Sequence, residues 1–250
     1  MLHFQSDAVE IAYRDEGQGE PILLIHGFAS NSKVNWVDTS WVSVLQGAGY
    51  RIIAIDNRGH GQSEKLYNTA VYEAPFMAED AKRLLDHLGI KQAHVMGYSM
   101  GARITAFLTM TYPQYVKSAI FAGLGYNMVR GIGGAGPIAN ALEAPSIDDV
   151  NSETAKTFRA FAETTGGDLK ALAACIRASR TKISAEDLNE IAQPVLVAVG
   201  TEDVIAGPAQ PLADLMTNAE VLSIPKRDHM RAVGDPVYKQ GVLDFLQRVG

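Results

Sequence analysis

The chain has 250 residues, of which 47% are hydrophobic and 20% are charged, values typical of a folded protein with one sizeable core. Its net charge of −6, without any basic run longer than two residues, argues against a general nucleic-acid binder and favours a neutral or uncharged partner. A single cysteine, Cys175, excludes an internal disulfide and a cysteine-rich metal site.

The first residues and the hydropathy of the chain indicate its cellular compartment. Residues 1–10 show no basic segment followed by an apolar stretch, so no signal peptide is predicted. No apolar run is long enough for a transmembrane helix. Together with the single cysteine, these features predict a cytoplasmic protein.

Strand patterns recur along the chain. Residues 2–4 and 8–13 alternate apolar and polar side chains, as half-exposed strands do, and residues 15–19 are the predicted turn that follows. The next runs are apolar without alternation, which is typical of strands buried on both faces of a parallel sheet. These runs cover residues 22–25, 50–55, 93–96, 117–121 and 194–199, and a last strand is predicted at 220–224.

Helical patterns separate the strands. Ser40 is the predicted N-cap of a helix over residues 41–46. Residues 74–87 place apolar side chains, Phe76 among them, three and four positions apart, and Gly89 is the predicted stop. Further helices are predicted at 102–111, 211–216 and 236–249. This alternation predicts βαβ units, a parallel sheet and helices on both of its faces.

The alternation stops at residues 124–192. Glycines crowd the first part of this segment and predict irregular backbone. Helical patterns follow at 152–164, 168–180 and 184–191, with no strand pattern between them. We therefore predict a helical insertion over one end of the sheet, which divides the core into residues 1–123 and 193–250. Its seven Lys or Arg residues against nine Asp or Glu residues over 125–191 give no electrostatic hint about the substrate.

The segment Gly97-Tyr98-Ser99-Met100-Gly101 lies between a predicted buried strand and a predicted helix. In that context a G-x-S-x-G pattern forms a sharp turn with the serine at its apex, and the glycines let neighbouring backbone approach. Ser99 is therefore the candidate nucleophile. A serine hydroxyl needs a base to take its proton, and a histidine oriented by a carboxylate meets that need.

His229 is the candidate base, because it lies in a loop after the last strand, from which it can reach the nucleophile. His3, His87 and His94 sit within strand or helix patterns, where a structural histidine is expected, whereas His26 and His60 sit in glycine-rich loops.

Asp203 is the candidate acid, since it follows a predicted parallel strand, at the end where catalytic groups collect. Glu202 and Asp228 are its competitors, and we interpret both as solvated loop charges. Two backbone N–H groups are candidate oxyanion donors, that of Met100 after the nucleophile and that of Phe28 in the loop after residues 22–25.

The chain resembles the α/β-hydrolase-fold serine hydrolases of the esterase and lipase type over nearly its full length. The matching segments are His26-Gly27-Phe28, residues 56–63, Gly97 to Gly101, Gly200 to Asp203, and His229. The order serine, acid, histidine is the order of that family. The resemblance implies a mostly parallel eight-stranded sheet, a small helical cap over residues 124–192, and no metal or organic cofactor. It also implies that residues 56–63 are scaffold.

The nucleophile type narrows the reaction. Relatives with aspartate at the apex attack alkyl carbons, whereas Ser99 implies acyl chemistry on a small-molecule ester or lactone. The same three residues also serve C–C bond hydrolases, perhydrolases and acyltransferases, and a non-catalytic receptor of the same fold is a further alternative. Phe28, Tyr98, Met128 and Met230 are the predicted pocket residues. The oligomeric state is not predicted.

Overall fold

A computed structural model of the chain describes residues 1–250. Its eight strands are β1 Leu2–Ser6, β2 Val9–Glu16, β3 Glu20–Ile25, β4 Tyr50–Ile55, β5 Ala93–Tyr98, β6 Val116–Ala122, β7 Val195–Gly200 and β8 Ala219–Ile224. They form one sheet in the order β1-β2-β4-β3-β5-β6-β7-β8. Only the β1–β2 and β2–β4 pairs are antiparallel. The predicted eight-stranded, mostly parallel sheet is confirmed.

Ten α-helices accompany the sheet. They are α1 Trp41–Gly47, α2 Ala74–His87, α3 Met100–Thr111, α4 Asn127–Arg130, α5 Ala135–Glu143, α6 Glu153–Thr164, α7 Leu169–Ala178, α8 Ala185–Asn189, α9 Gln210–Ala213 and α10 Pro236–Val249. Five of them, α4 to α8, lie between β6 and β7, where the chain has no strand. None of the helices combines the length and the apolar character that a membrane span requires.

The sheet has a hydrophobic layer on each face because side chains alternate along its strands. Leu23 and Ile25 of β3 belong to the larger core, which also contains buried side chains of α2 and α3. Ile22 and Leu24 point to the opposite face and pack in a second core with side chains of α1 and α10. Helices therefore cover both faces, as the alternation of patterns predicts.

Four local predictions are wrong. Ser40 precedes α1 but has φ 66° and makes no side-chain cap hydrogen bond. Phe76 is 45% exposed, whereas Met77, Ala81, Leu84 and Leu85 of the same predicted face are buried. Strand β2 continues to Glu16, which pairs with β4, so the turn after it is shorter than predicted. The glycine-rich segment after β6 contains α4 and α5 rather than only irregular backbone.

Buried histidines bear on stability. The rings of His26, His60 and His94 are fully or almost fully buried. Burial, the largest cause in each case, lowers the pKa of His26, lowers the pKa of His60 to about 3 and lowers that of His94 to about 4. The Nε2 atoms of His60 and His94 have no hydrogen-bond partner. These rings are therefore neutral in the folded protein near pH 7.

We expect the free energy of unfolding to fall as the pH drops below about 6.5. Each of these histidines takes up a proton near pH 6.5 in the unfolded chain, whereas the folded His60 and His94 stay neutral down to about pH 3 and 4. The unfolded state then binds more protons, which costs about 1.4 kcal/mol of stability per pH unit for each histidine. Urea denaturation at pH 7.5, 6.0 and 5.0 measures this slope.

The control for this slope is His94→Gln, which removes one titrating ring and keeps a polar side chain opposite Ser118. Its stability should depend less steeply on pH by about 1.4 kcal/mol per pH unit. A wild-type stability that is constant between pH 6.5 and 5.0 would contradict the prediction.

Candidate active site

Ser99 lies at the sharp turn between β5 and α3. Its φ of 55° and ψ of −111° form a conformation that is uncommon for a residue with a side chain. The Ser99 N–H donates to the Ala122 carbonyl oxygen of the neighbouring strand at 2.7 Å, which fixes the turn against the sheet. The turn presents the Ser99 hydroxyl to two cavities at the carboxyl edge of the sheet.

Glycines on both sides of Ser99 let the surrounding backbone approach closely. A Cβ atom on Gly97 would lie 2.1 Å from the Gly101 carbonyl oxygen. A Cβ atom on Gly101 would lie 1.9 Å from the carbonyl oxygen of Ile25 in β3. Both distances are far below van der Waals contact, so only glycine fits at either position. The two glycines thereby allow β3, β5 and α3 to pack around the turn.

His229 connects Ser99 with Asp203. Its Nε2 lies 3.0 Å from Ser99 Oγ, and its Nδ1 lies 2.7 Å from Asp203 Oδ2. Asp203 follows β7 and His229 follows β8, so the carboxyl ends of three parallel strands supply the three side chains. The structure brings together the residues that the sequence suggests as nucleophile, acid and base.

The hydrogen bonds assign the proton on the His229 ring. The Asp203 carboxylate can only accept, so Nδ1 of His229 donates to it, and Nε2 of the neutral ring accepts from the Ser99 hydroxyl. The second carboxylate oxygen, Oδ1, accepts from the backbone N–H groups of Ile205 and Ala206, each at 2.9 Å. These two donors hold the carboxylate in place and stabilise its negative charge. The Ser99 proton therefore has an acceptor already aligned.

The competing carboxylates have other surroundings. Glu202 is exposed. Asp228 Oδ1 accepts from the backbone N–H groups of Met230 and Arg231 at 3.0 and 2.9 Å, so it stabilises its own turn. Neither carboxylate is hydrogen-bonded to the His229 ring, whose Nδ1 is bound to Asp203.

The loop after β3 lies beside Ser99. The Gly27 N–H donates to Asn35 Oδ1 at 3.1 Å, and a Cβ atom on Gly27 would lie 3.5 Å from Ser99 Cβ. The Phe28 N–H makes no hydrogen bond within the chain. Met100 is the first residue of α3, where a backbone N–H has no partner inside the helix. Two unpaired N–H groups are therefore available where the sequence suggests oxyanion donors.

Other histidines near this edge bind backbone atoms. His26 Nδ1 donates to the Gly27 carbonyl oxygen at 2.7 Å, and His60 Nδ1 donates to the Arg58 carbonyl oxygen at 3.0 Å. The Arg58 guanidinium forms a two-pronged ion pair with buried Asp80, with both distances 2.7 Å. These contacts agree with the interpretation of the loop after β4 as scaffold.

Two cavities meet at Ser99. The first, which we call the wide cavity, has a volume of about 230 Å³ and is lined among others by Asn35, Thr39, Tyr98, Phe161, His229 and Met230. The second, the narrow cavity, has about 30 Å³ and is lined among others by Met100, Arg103, Leu124, Ile176, Ser179 and Arg180. Phe28, Ser99 and Phe158 line both cavities. A substrate bound at Ser99 therefore has two directions in which to extend.

Three of the four predicted pocket residues, Phe28, Tyr98 and Met230, line the wide cavity. The Tyr98 hydroxyl also donates to the His229 backbone carbonyl oxygen at 2.6 Å, which supports the loop that carries His229. Met128 lines neither cavity, so its prediction is wrong. It is fully buried because α4 packs its side chain into the larger core.

Sequence reasoning missed several lining residues. Asn35 belongs to a π-helical turn, Lys33–Val37, which no hydrophobic periodicity predicts. Arg180 follows α7 and is far from Ser99 in the sequence. The sequence does contain a signal that predicts Arg103 near the site. It lies four residues after Ser99 in α3, and that spacing places it on the same side of the helix.

Comparisons with known proteins identify relatives that share this fold. A protein of Mycobacterium tuberculosis provisionally named non-heme bromoperoxidase BpoC is 29% identical over 248 residues, which cover 89% of this chain and 91% of that protein. The structure of the enol-lactonase from Burkholderia xenovorans LB400 superposes with a TM-score of 0.82 at 20% identity, over 98% of this chain and 100% of that chain. Est816, described as an N-acyl homoserine lactone degrading enzyme, gives a TM-score of 0.76 at 26% identity over 99% of each chain.

The family model described as the alpha/beta hydrolase fold matches residues 20–182. That match covers more than half of the chain and includes β3, the turn at Ser99 and most of the helical segment before β7. The chain belongs to the α/β-hydrolase fold family.

Proposed function

We propose that the chain is a serine hydrolase that cleaves small to medium carboxylic esters or lactones through an acyl-serine intermediate. The main support is the position of His229, with Nε2 3.0 Å from Ser99 Oγ and Nδ1 2.7 Å from Asp203 Oδ2. This arrangement activates a hydroxyl for attack on a carbonyl carbon and requires no other reactant except water.

In the acylation step, Ser99 Oγ forms a bond to the substrate carbonyl carbon while its proton moves to Nε2 of His229. Asp203 accepts a hydrogen bond from Nδ1 and stabilises the positive charge that develops on the ring. The carbon–oxygen bond to the leaving alcohol then breaks, and His229 gives the proton to that oxygen. The product at this stage is acyl-Ser99 and a free alcohol.

In the deacylation step, water takes the place of the alcohol. Nε2 of His229 accepts a proton from the water as its oxygen attacks the acyl carbon, and the same proton returns to Ser99 Oγ when the bond to the serine breaks. The Phe28 and Met100 N–H groups hold the oxyanion in both steps. Removal of one such donor costs about 10² to 10³ in kcat in other acyl-transfer enzymes.

Two observations favour lactones as substrates beside linear esters. The wide cavity, about 230 Å³, can hold the ring of a small lactone beside Ser99. Two structural relatives are described as acting on lactones, Est816 on N-acyl homoserine lactones and the Burkholderia protein on an enol-lactone. The relative provisionally named a bromoperoxidase supports a second candidate, in which hydrogen peroxide instead of water takes the acyl group and a peracid leaves.

A fluorophosphonate probe and a substrate panel test the proposal together. We expect one probe molecule per chain, located at Ser99 by mass spectrometry and absent from Ser99→Ala. Among a short aryl ester, a γ-lactone, a β-diketone and a thioester, we expect the highest kcat/KM for the ester or the lactone. Fastest turnover of the β-diketone, or peracid formation faster than ester hydrolysis, would replace ester cleavage by the corresponding alternative. A folded protein without label or turnover would indicate a receptor.

A further inference from the structure

The narrow cavity contains two arginines and no acidic residue. Arg103 and Arg180 line it beside Ser99, together with the buried hydroxyl of Ser179. The remaining lining is mostly apolar, from residues such as Leu124, Ile132 and Ile176. The cavity thus presents positive charge in a largely apolar setting, where a charge interacts more strongly than it does in water.

Neither guanidinium has a carboxylate partner. Arg103 is only 1% exposed; its Nη1 donates to the carbonyl oxygens of Thr181 at 2.6 Å and Met128 at 3.0 Å, and its Nη2 makes a long contact of 3.4 Å with that of Asn127. Arg180 Nη1 donates to the carbonyl oxygens of Ile132 and Gly133. No acidic side chain lies within ion-pair distance of either arginine.

Other arginines show that the chain does provide acids for its cations. Buried Arg58 is paired with Asp80 through Nε at 2.7 Å, and Arg159 is paired with Glu163 at 2.6 Å. Arg177, three residues before Arg180, is paired with Glu143 at 2.6 Å. Removing a cation from water without a counter-charge is costly, so an arginine pair left unpaired beside a nucleophile needs an explanation.

The arginines carry their charge at neutral pH. Burial, with the positive charge of Arg180 as the smaller cause, lowers the pKa of Arg103 to about 10, well above 7. The same effect of burial lowers the pKa of Arg180. A neighbouring anion would reverse both effects, because it would stabilise the charged forms.

We propose that the narrow cavity binds a free carboxylate of the substrate, so that the preferred substrate is a half-ester of a short dicarboxylic acid or a lactone that bears a carboxylate. This inference rests on the proposed ester hydrolysis at Ser99. The carboxylate accepts from Arg103 and Arg180, while the uncharged part of the substrate lies in the wide cavity.

The dimensions set the length of the substrate. Arg103 follows Ser99 by four residues along α3, which corresponds to a rise of roughly 6 Å between their backbones. The arginine side chain spans part of that distance. The narrow cavity has a volume of about 30 Å³, whereas one water needs ~10–15 Å³, so the cavity accommodates a group of carboxylate size. A linker of two or three methylene groups between the reacting carbonyl and the carboxylate meets both conditions.

Mono(4-nitrophenyl) glutarate and the 4-nitrophenyl ester of glutaramic acid test the proposal, since they differ only in a carboxylate against an amide. We expect kcat/KM for the anionic ester to be higher by on the order of 10- to 100-fold, the range of a hydrogen bond to a charged group. Arg180→Gln should lower this ratio at least about tenfold, and Arg180→Lys should retain part of it. Arg177→Gln, the matched control, should leave the ratio unchanged.

Binding provides a readout that does not depend on turnover. Glutarate should raise the melting temperature of Ser99→Ala more than glutaramide does, and Arg180→Gln in that background should remove the difference. Arg103→Lys, which keeps the charge, is the second variant at the site.

The outcomes separate the two proposals. Equal kcat/KM for the two esters, with no stabilisation by glutarate, would overturn the carboxylate site and leave ester hydrolysis intact. No turnover of either ester, with stabilisation by glutarate that Arg180→Gln removes, would overturn ester hydrolysis and support the carboxylate site. No turnover and no stabilisation would overturn both.

Discussion

Ser99→Gly should abolish ester hydrolysis and at the same time stabilise the fold. Without the Ser99 hydroxyl there is no nucleophile for His229 to activate, and we expect kcat to fall by about 10⁴-fold or more. Glycine adopts the positive φ of 55° at this turn without steric cost. Strain at such a position amounts to about 1–3 kcal/mol, of which the entropy of glycine offsets part, so we expect a net gain of about 1 kcal/mol.

Ser99→Ala distinguishes the two effects, since alanine removes the hydroxyl and keeps the strain. It should be as inactive as Ser99→Gly without its gain in stability. Asp7→Gly is the control for strain relief away from the site; the long ion pair with Arg83 that it also removes, at 3.8 Å, is exposed and contributes little. Asp7 has φ 58° and an exposed side chain in the turn between β1 and β2, so this variant should keep full activity. Steady-state rates on a short aryl ester and urea denaturation measure both quantities. Residual activity of Ser99→Ala above one per cent would contradict the proposed role of Ser99.

Gly101→Ala should destabilise the chain by at least about 3 kcal/mol, or prevent folding. The new Cβ atom would lie 1.9 Å from the Ile25 carbonyl oxygen and 2.8 Å from that of His26, both backbone atoms. Backbone cannot rotate away as a side chain can, so α3 would have to move off β3 and displace Ser99. Urea denaturation and the yield of folded protein measure the effect.

Gly47→Ala is the matched control for this variant. Gly47 also lies in a helix, α1, with no atom within 4 Å of an added Cβ. Alanine there should stabilise the chain by about 0.5–1 kcal/mol because it restricts the unfolded backbone and suits a helix. If Gly101→Ala were as stable as Gly47→Ala, the close packing of β3 against α3 would not be what fixes the turn.

The helices and strands that the sequence predicts best are those whose boundaries are marked by particular residues. Helix α2 and strand β4 begin and end at the predicted residues, 74–87 and 50–55. Gly49 and Gly89 both have positive φ and mark the start of β4 and the end of α2. Phe76 shows the limit of the same reasoning. Helical spacing identifies the apolar face of a helix. The packing of α2 against the core then decides which side chains at the border of that face stay exposed to solvent.

The residues of the candidate site also differ in how well the sequence predicts them. Ser99, Asp203 and His229 follow predicted elements in an order that the resemblance to α/β hydrolases interprets, so the sequence is enough to suggest them. The sequence predicts Met128 in the pocket because buried and pocket-lining apolar side chains of the helical segment look alike in sequence. Only the packing of α4 shows that it belongs to the core. Whether residues 124–192 act as a cap that selects substrates stays a prediction.

The sequence by itself determined the sheet with helices on both faces and suggested the turn at Ser99 with its candidate acid and base, because hydrophobic period and loop position are local properties. The tertiary structure alone decided which charges lie beside Ser99. The net charge of −6 favours a neutral partner, and the charges of the helical segment nearly cancel. Yet folding brings Arg103 and Arg180 into one narrow cavity that no acidic side chain lines. A substrate responds to the field within a few ångströms, which depends on distances through space and not on the sum along the chain.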